Sequence, residues 1–346
     1  MSHSSIFSLL KNLEHLKIRL QEIKLATHNF SDTYKHYSSN DYDARYTVAL
    51  NHFDKGKPSF VEEKGKTTQP KIHNSTVIIK RFLPRDDEDE EEFFFTELEV
   101  LITVKHSNIV TLIGFCVEGF EMMLIVEKFA NAFLADYIGN VCTLTWETRL
   151  KICIDVAHAL SYIHSGLEDK KMIIHGNISS FKFGLDENWR TKIEDFESAV
   201  ILPPDIKDQT LYKRPYFESK YHVDPDYANT GKLKRESDVY SFGVVLLEII
   251  CGREADDQIY LKESDKGLVH VARKNFRNGT IEGMIDPTLK EETNKKGCIP
   301  NRGANKDSLQ TFLKVANQCV SKTQDQRPTM KVVLNELEKA LVFQVS

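Results

Sequence analysis

The chain has 346 residues, 41 % of them hydrophobic and 28 % charged, with a formal net charge of -5. That is enough apolar material for two modest domains or one bilobal unit, and it argues against a chain disordered throughout. The acidic balance supplies no global basic field to hold a polyphosphate backbone, which makes nucleic acid a poor default partner.

The first residues lack the long apolar segment of a signal peptide, and Ser2 departs from the usual myristoylation signal. Leu13, Leu16, Leu20 and Ile23 recur at spacings of three and four among charged residues, which predicts a leader helix within residues 1–25. Residues 34–50 are polar and aromatic, and 51–75, rich in Lys, Gly, Pro, Ser and Thr, read as a long exposed loop. The β-branched run Thr76-Val77-Ile78-Ile79 predicts a buried strand ending in Lys80. Acidic residues from Asp86 to Glu92 then favour the positive end of a helix that carries Phe93 to Leu101.

Ile109 to Cys116 and Met122 to Val126 are short and branched enough for two further strands. A polar hinge, Glu127-Lys128-Phe129-Ala130-Asn131, separates them from helical text in which Leu150, Ile154, Ala157 and Leu160 mark one face. Val239 to Cys251 is the strongest apolar run. It is far shorter than the ~20 residues a membrane span needs and contains Glu248, so it reads as a helix buried on all sides. The cysteines at 116, 142, 153, 251, 298 and 319 form no CxxC pair and read as reduced core thiols. A strand-rich first third thus precedes a helix-rich remainder.

Three segments carry a family resemblance. Ser237-Asp238-Val239-Tyr240-Ser241-Phe242-Gly243-Val244-Val245-Leu246-Leu247-Glu248 is the most specific; Glu22 to Phe30 and Asp325-Gln326-Arg327-Pro328-Thr329-Met330 bracket nearly the whole chain. Together they resemble the protein kinase domain of the plant receptor-like kinase/Pelle family, of receptor-like cytoplasmic type. The resemblance implies an α+β, bilobal protein kinase fold. Its β-rich N-lobe would span 26–130, with the exposed loop 51–75 inside it, and its helical C-lobe 131–346.

It also implies roles. Lys80 matches the lysine that holds the nucleotide phosphates, and Glu97, seventeen residues on, its helix-borne partner. Glu127 and Phe129 fall in the nucleotide-binding hinge, and Asp195 in Asp195-Phe196-Glu197 matches a metal-binding aspartate. Elsewhere the pattern is broken. Tyr37 to Tyr46, at the glycine-rich phosphate loop, has no glycine and adds Asp41 and Asp43, whose charges repel phosphate. Asn177 stands at the catalytic-base position in Ile174-His175-Gly176-Asn177, and an amide is no useful base. Ser179 replaces the lysine that steadies the transferred phosphoryl group, and Lys182 replaces the magnesium-binding asparagine.

Glu197, in place of glycine, offers an alternative metal ligand beside Asp195, unless Lys182 neutralises it. Gly176, in place of an arginine, reads as a tolerated variant. His175, Asp226, Asp238 and Arg327 match residues that hold the larger lobe together. Asp226 is expected to pair with Arg327, and Asp238 to tie the buried helix to the backbone near His175. The activation segment, Glu197 to Val223, offers Thr210, Tyr212 and Tyr216 as phosphorylation sites, and Tyr221 occupies a usual glycine position.

The expectation is a pseudokinase acting as a signalling scaffold, decoy or nucleotide-responsive switch, with other signalling proteins, receptor kinases or immune receptors as partners. The competing expectation is a Ser/Thr kinase with residual ATP-dependent transfer through Lys80 and Asp195. ATP is the implied nucleotide, and Mg2+ lacks its usual ligand set. The implied location is cytoplasmic, or peripheral at the plasma membrane.

Overall fold

The computed structural model describes residues 10–11, 13–36, 43–53, 72–83, 89–139, 144–167, 171–203, 211–212, 220–290 and 303–346. The chain divides into two compact units, one of residues 1–103 and 110–128, the other of 104–109 and 129–346.

The first unit is built on a five-stranded antiparallel sheet. Its elements are helix α1 (Leu20–Ala26), strands β1 (Lys35–His36), β2 (Asp43–Phe53) and β3 (Ile72–Phe82), helix α2 (Asp89–Thr103), and strands β4 (Leu112–Glu118) and β5 (Glu121–Glu127). The strand order is β1-β2-β3-β5-β4. Period-two alternation sorts the two faces. Ala44, Tyr46, Val48 and Leu50 of β2 join Val77 and Ile79 of β3 in a core that also takes Ile23 of α1. The odd residues of β2 from Asp43 share the opposite face with Lys80 and Phe82, because the register sets Asp43 against Phe82 and Arg45 against Lys80. Phe82 meets Phe94 of α2 edge-on at 5.4 Å, so α2 covers that second face.

Two expectations change here. Residues 51–53 and 72–75 belong to paired strands, with Asn51 opposite Asn74 and Phe53 opposite Ile72; the remainder of the expected loop lies outside the described residues. The leader is also not one helix. A 3-10 turn at Glu14–Leu16 is followed by extended Lys17, bridged to Phe115, before α1 begins. Ile18 N–H donates to Phe115 O at 2.9 Å. That edge pairing holds the backbone extended where side-chain spacing alone favoured helix.

The second unit is mainly helical. It contains α3 (Trp146–Ser165), β6 (Met172–Ile174), β7 (Phe183–Leu185), β8 (Thr191–Ile193), β9 (Val200–Leu202), β10 (Leu211–Tyr212) and α4 (Pro225–Thr230). β11 (Lys232–Leu233), α5 (Arg235–Cys251), α6 (Gly267–Asn278), α7 (Lys306–Cys319) and α8 (Met330–Val345) follow. Every residue of α5 from Ser237 to Cys251 is buried, as its all-round apolar text predicts. Trp146 donates its indole N–H to Ser308 Oγ at 2.9 Å, joining α3 to α7. Cys116, Cys153, Cys251 and Cys319 are free and buried; Cys142 and Cys298 lie outside the described residues. Among the described residues no helix is long and apolar enough to cross a membrane.

Candidate functional site

In the first unit Lys80 projects from β3 toward α2 and its Nζ lies 2.8 Å from Glu97 Oε2. Both are buried, at 4 % and 2 % exposure. A second carboxylate, Asp43, reaches Lys80 Nζ at 3.7 Å and is itself 3.3 Å from Arg45 Nε. Lys80 Nζ also sits 5.2 Å from the centre of the Phe82 ring. The Lys80–Glu97 pair is visible in the sequence. The Asp43 contact is not, because it depends on the β2–β3 register. Of the expected phosphate loop at 37–46, residues 37–42 lie outside the described residues and 43–46 form the start of β2.

Glu127, at the end of β5, exchanges two hydrogen bonds with Thr111: its N–H donates to Thr111 O at 3.1 Å, and its Oε1 accepts from Thr111 N–H at 2.6 Å.

In the second unit the segment leaving the hinge is fastened to β7. Asn131 N–H donates to Leu185 O at 2.9 Å and Leu185 N–H to Ala132 O at 2.9 Å. Phe129, expected to meet a nucleotide, is 7 % exposed and lays its ring against Gly184. A Cβ at residue 184 would fall 2.1 Å from that ring, so glycine is required by close approach. Nothing in the sequence around Gly184 signalled this contact, which pairs residues 55 positions apart.

The loop after β6 is anchored by Asp238 of α5. Asp238 Oδ2 accepts from His175 N–H and Oδ1 from Gly176 N–H, each at 2.8 Å, and His164 Nε2 lies 2.8 Å from Oδ2. Gly176 adopts φ 79, and a Cβ there would lie 2.9 Å from Ser198 O, which explains glycine at this position. Asn177 N–H donates to His175 Nδ1 at 3.3 Å, which leaves Nε2 as the donor toward Glu194 O at 3.1 Å. Burial pushes the His175 pKa down despite the charge of Asp238 and the bond to Glu194, so the ring is neutral.

Lys182 has no exposed surface, and its Nζ donates to Asp195 Oδ2 at 2.7 Å. Glu197 Oε1 is 4.0 Å from the same Nζ. Asp195 holds φ 62, a left-handed conformation that costs a non-glycine residue about 1–2 kcal/mol and persists where its surroundings fix it. Ser179 and Asn177 are buried beside this pair in sequence and present no charge. An ammonium has no lone pair to offer a metal, and it holds the carboxylate that a metal would need. Within this unit the Asp195 and Glu197 carboxylates thus face an internal ammonium where magnesium would need oxygen ligands alone.

One expected ion pair is corrected. Arg327 Nη2 bonds Asp224 Oδ1 at 2.7 Å, with both side chains fully buried, and Asp226 is not its partner. The reason is local. Asp224 caps α4, whose first residue is Pro225, so its carboxylate turns inward to accept from Asp226 N–H at 3.0 Å, Ser237 Oγ at 2.9 Å and Gln324 Nε2 at 2.8 Å. Asp226, inside the first turn, is only half-buried. Burial would raise the Asp224 pKa, but Arg327 and the hydrogen bonds hold it below its ordinary value. The Asp-Pro pair was the signal, since a proline at the first helical position marks the residue before it as the cap.

In the activation segment, the backbone of Leu211–Tyr212 pairs antiparallel with Lys232–Leu233, and the Tyr221 ring packs against Gly267. Thr210 and Tyr216 lie outside the described residues.

A five-stranded sheet carrying a buried Lys80–Glu97 pair, and a helical unit whose loop at His175 is bonded to a buried-helix aspartate, define a protein kinase domain. The chain belongs to the family described as protein tyrosine and serine/threonine kinase, whose profile matches residues 51–337. Its relatives are receptor-like protein kinases of Arabidopsis thaliana. HERK 1 is 35 % identical over 299 residues, covering 86 % of this chain and 34 % of its own length. ANXUR2 is 34 % identical over 333 residues, covering 95 % of this chain and 34 % of its own. FERONIA is 33 % identical over 307 residues, covering 88 % and 32 %. The chain thus spans about a third of the length of these relatives.

Proposed function

We propose that this chain is a pseudokinase: a kinase-family domain that keeps the fold as a binding scaffold in signalling and does not transfer phosphate. The observation that carries this reading is the buried Lys182–Asp195 pair at 2.7 Å, which commits the metal-binding aspartate to an internal cation. Asn177 at the base position removes proton acceptance, which alone is worth ~10²–10⁴-fold in rate. Phosphoryl transfer depends on positioning and charge stabilisation together, so these losses compound. Purified protein incubated with radiolabelled ATP and a general protein substrate is expected to label neither. Labelling that an Asp195→Ala substitution abolishes would overturn the reading.

A second reading has one observation in its favour. The Lys80–Glu97 pair is formed at 2.8 Å, as a nucleotide-responsive switch would require. Such a switch predicts that ATP raises the melting temperature without metal, whereas a pure scaffold predicts no response. The partners proposed are other signalling proteins, receptor kinases or immune receptors among them. The proposed location is cytoplasmic, or peripheral at the plasma membrane.

A further inference from the structure

We propose that the chain carries its own stand-ins for the charged parts of a metal–nucleotide: the Asp43 carboxylate replaces a phosphate oxyanion at Lys80, and the Lys182 ammonium replaces a divalent cation at Asp195. The inference rests on the pseudokinase reading and deepens it by saying what the altered residues now do. Each substitution is internal to one unit, so each can be argued and tested separately.

Consider Lys80 first. Glu97 balances one charge, and a phosphate would be the next partner of a lysine so placed. Asp43 takes that role at 3.7 Å, with a side chain only 1 % exposed. Its position is fixed by the sheet, since Asp43, Arg45, Lys80 and Phe82 share one face through an eleven-pair antiparallel register. Arg45 holds the carboxylate at 3.3 Å. Lys80 is thus already faced by two carboxylates, Glu97 and Asp43, where a phosphate would need an available cation.

Lys182 is the converse case. Its backbone is stapled on both sides: its N–H donates to Ser179 O at 3.1 Å, and its O accepts from Glu194 N–H at 3.0 Å. The second bond ties the lysine to the strand end that carries Asp195, so the ammonium is delivered intramolecularly. Its effective concentration exceeds that of a dissolved ion. Glu197, at 4.0 Å, adds a second negative group to the same cation. Within each unit, Lys80 and Asp195 thus face a counter-charge supplied by the chain itself.

Thermal-shift titrations of the full chain with Mg2+ alone, with ATP in EDTA and with MgATP test both parts. The wild type is expected not to respond to any of them. Asp43→Asn, which keeps shape and removes charge, is expected to gain a response to ATP in EDTA of about 2 °C or more at saturation. Lys182→Asn is expected to melt lower without metal and to recover on Mg2+ alone, while Lys182→Arg keeps the cation and stays insensitive.

Stabilisation of the wild type by Mg2+ or by ATP would overturn the inference. So would an Asp43→Asn protein, folded by circular dichroism, that responds no more than wild type. A Lys182→Asn protein indifferent to Mg2+, whether folded or not, would remove the cation half. Failure of the underlying reading is a separate result, since it appears as radiolabel transfer by the wild type. A silent wild type with unresponsive variants would remove the inference alone.

Discussion

Asp224 and Asp226 are two residues apart, carry the same side chain, and are predicted to differ several-fold in what they contribute to stability. Replacing Asp224 by alanine removes a fully buried carboxylate that accepts from Arg327, Gln324, Ser237 and the first turn of α4. The Arg327 guanidinium keeps its bonds to Ser321 O at 3.1 Å and Glu236 O at 2.9 Å, but its charge is left buried without an anion. Breaking such a pair costs about 3–5 kcal/mol. Loss of the cap adds about 1 kcal/mol, part of which overlaps the first sum because both act through one carboxylate. We expect about 4 kcal/mol, a fall in Tm of roughly 6 °C for a chain of this length.

Asp226→Ala removes a half-buried carboxylate near a helix start, worth about 0.3–1 kcal/mol. Urea denaturation followed by circular dichroism, with both single variants and Arg327→Ala for a double-mutant cycle, measures the difference. An Asp226→Ala loss equal to or larger than that of Asp224→Ala would refute the assignment of Arg327 to Asp224. So would a coupling between Asp224 and Arg327 within experimental error of zero.

Three further outcomes are expected. Lys80→Met removes the buried cation at 2.8 Å from Glu97 while Asp43 keeps Arg45, and should destabilise by about 3 kcal/mol, read as a lower urea midpoint, while phosphate transfer stays at background. Gly184→Leu forces the Phe129 ring off β7 and should cost at least about 1–3 kcal/mol; Phe129→Ala in the same chain should return part of it, and purely additive losses would count against the contact. Stability should fall as pH drops below His175's ordinary value of 6.5, because the unfolded chain takes up a proton there that the buried neutral ring does not. Asp224, with its pKa depressed, adds a further loss below its ordinary 3.8 as its carboxylate is protonated. Urea midpoints that stay flat from about pH 7 to pH 4 would contradict the first of these.

Much of this domain was legible without coordinates. The apolar text of Val239 to Cys251 could only be a buried helix, and the Lys80 to Glu97 spacing matched a strand and helix that do face each other. Asn177, Ser179 and Lys182 were readable one by one as departures from the pattern the resemblance implies. What escaped were contacts set by register and close approach. β2 was obscured because the face it turns toward α2 carries Asp43, Arg45 and Thr47, so the strand looked like polar loop until paired with β3. Gly184 looked like any glycine until the Phe129 ring was found on it.

The sequence by itself determined the family and the buried helix, and it supplied the expectation that Asn177 stands where a base would, because these follow from the identity of residues and from spacing along one element. Only the tertiary structure decided who partners whom: Asp224 rather than Asp226 for Arg327, Asp43 as a second anion for Lys80, and Lys182 for Asp195. A charge within 4 Å acts through space regardless of its place in the chain. Strand register and the direction of a helix cap set those distances, and neither is written in any single residue.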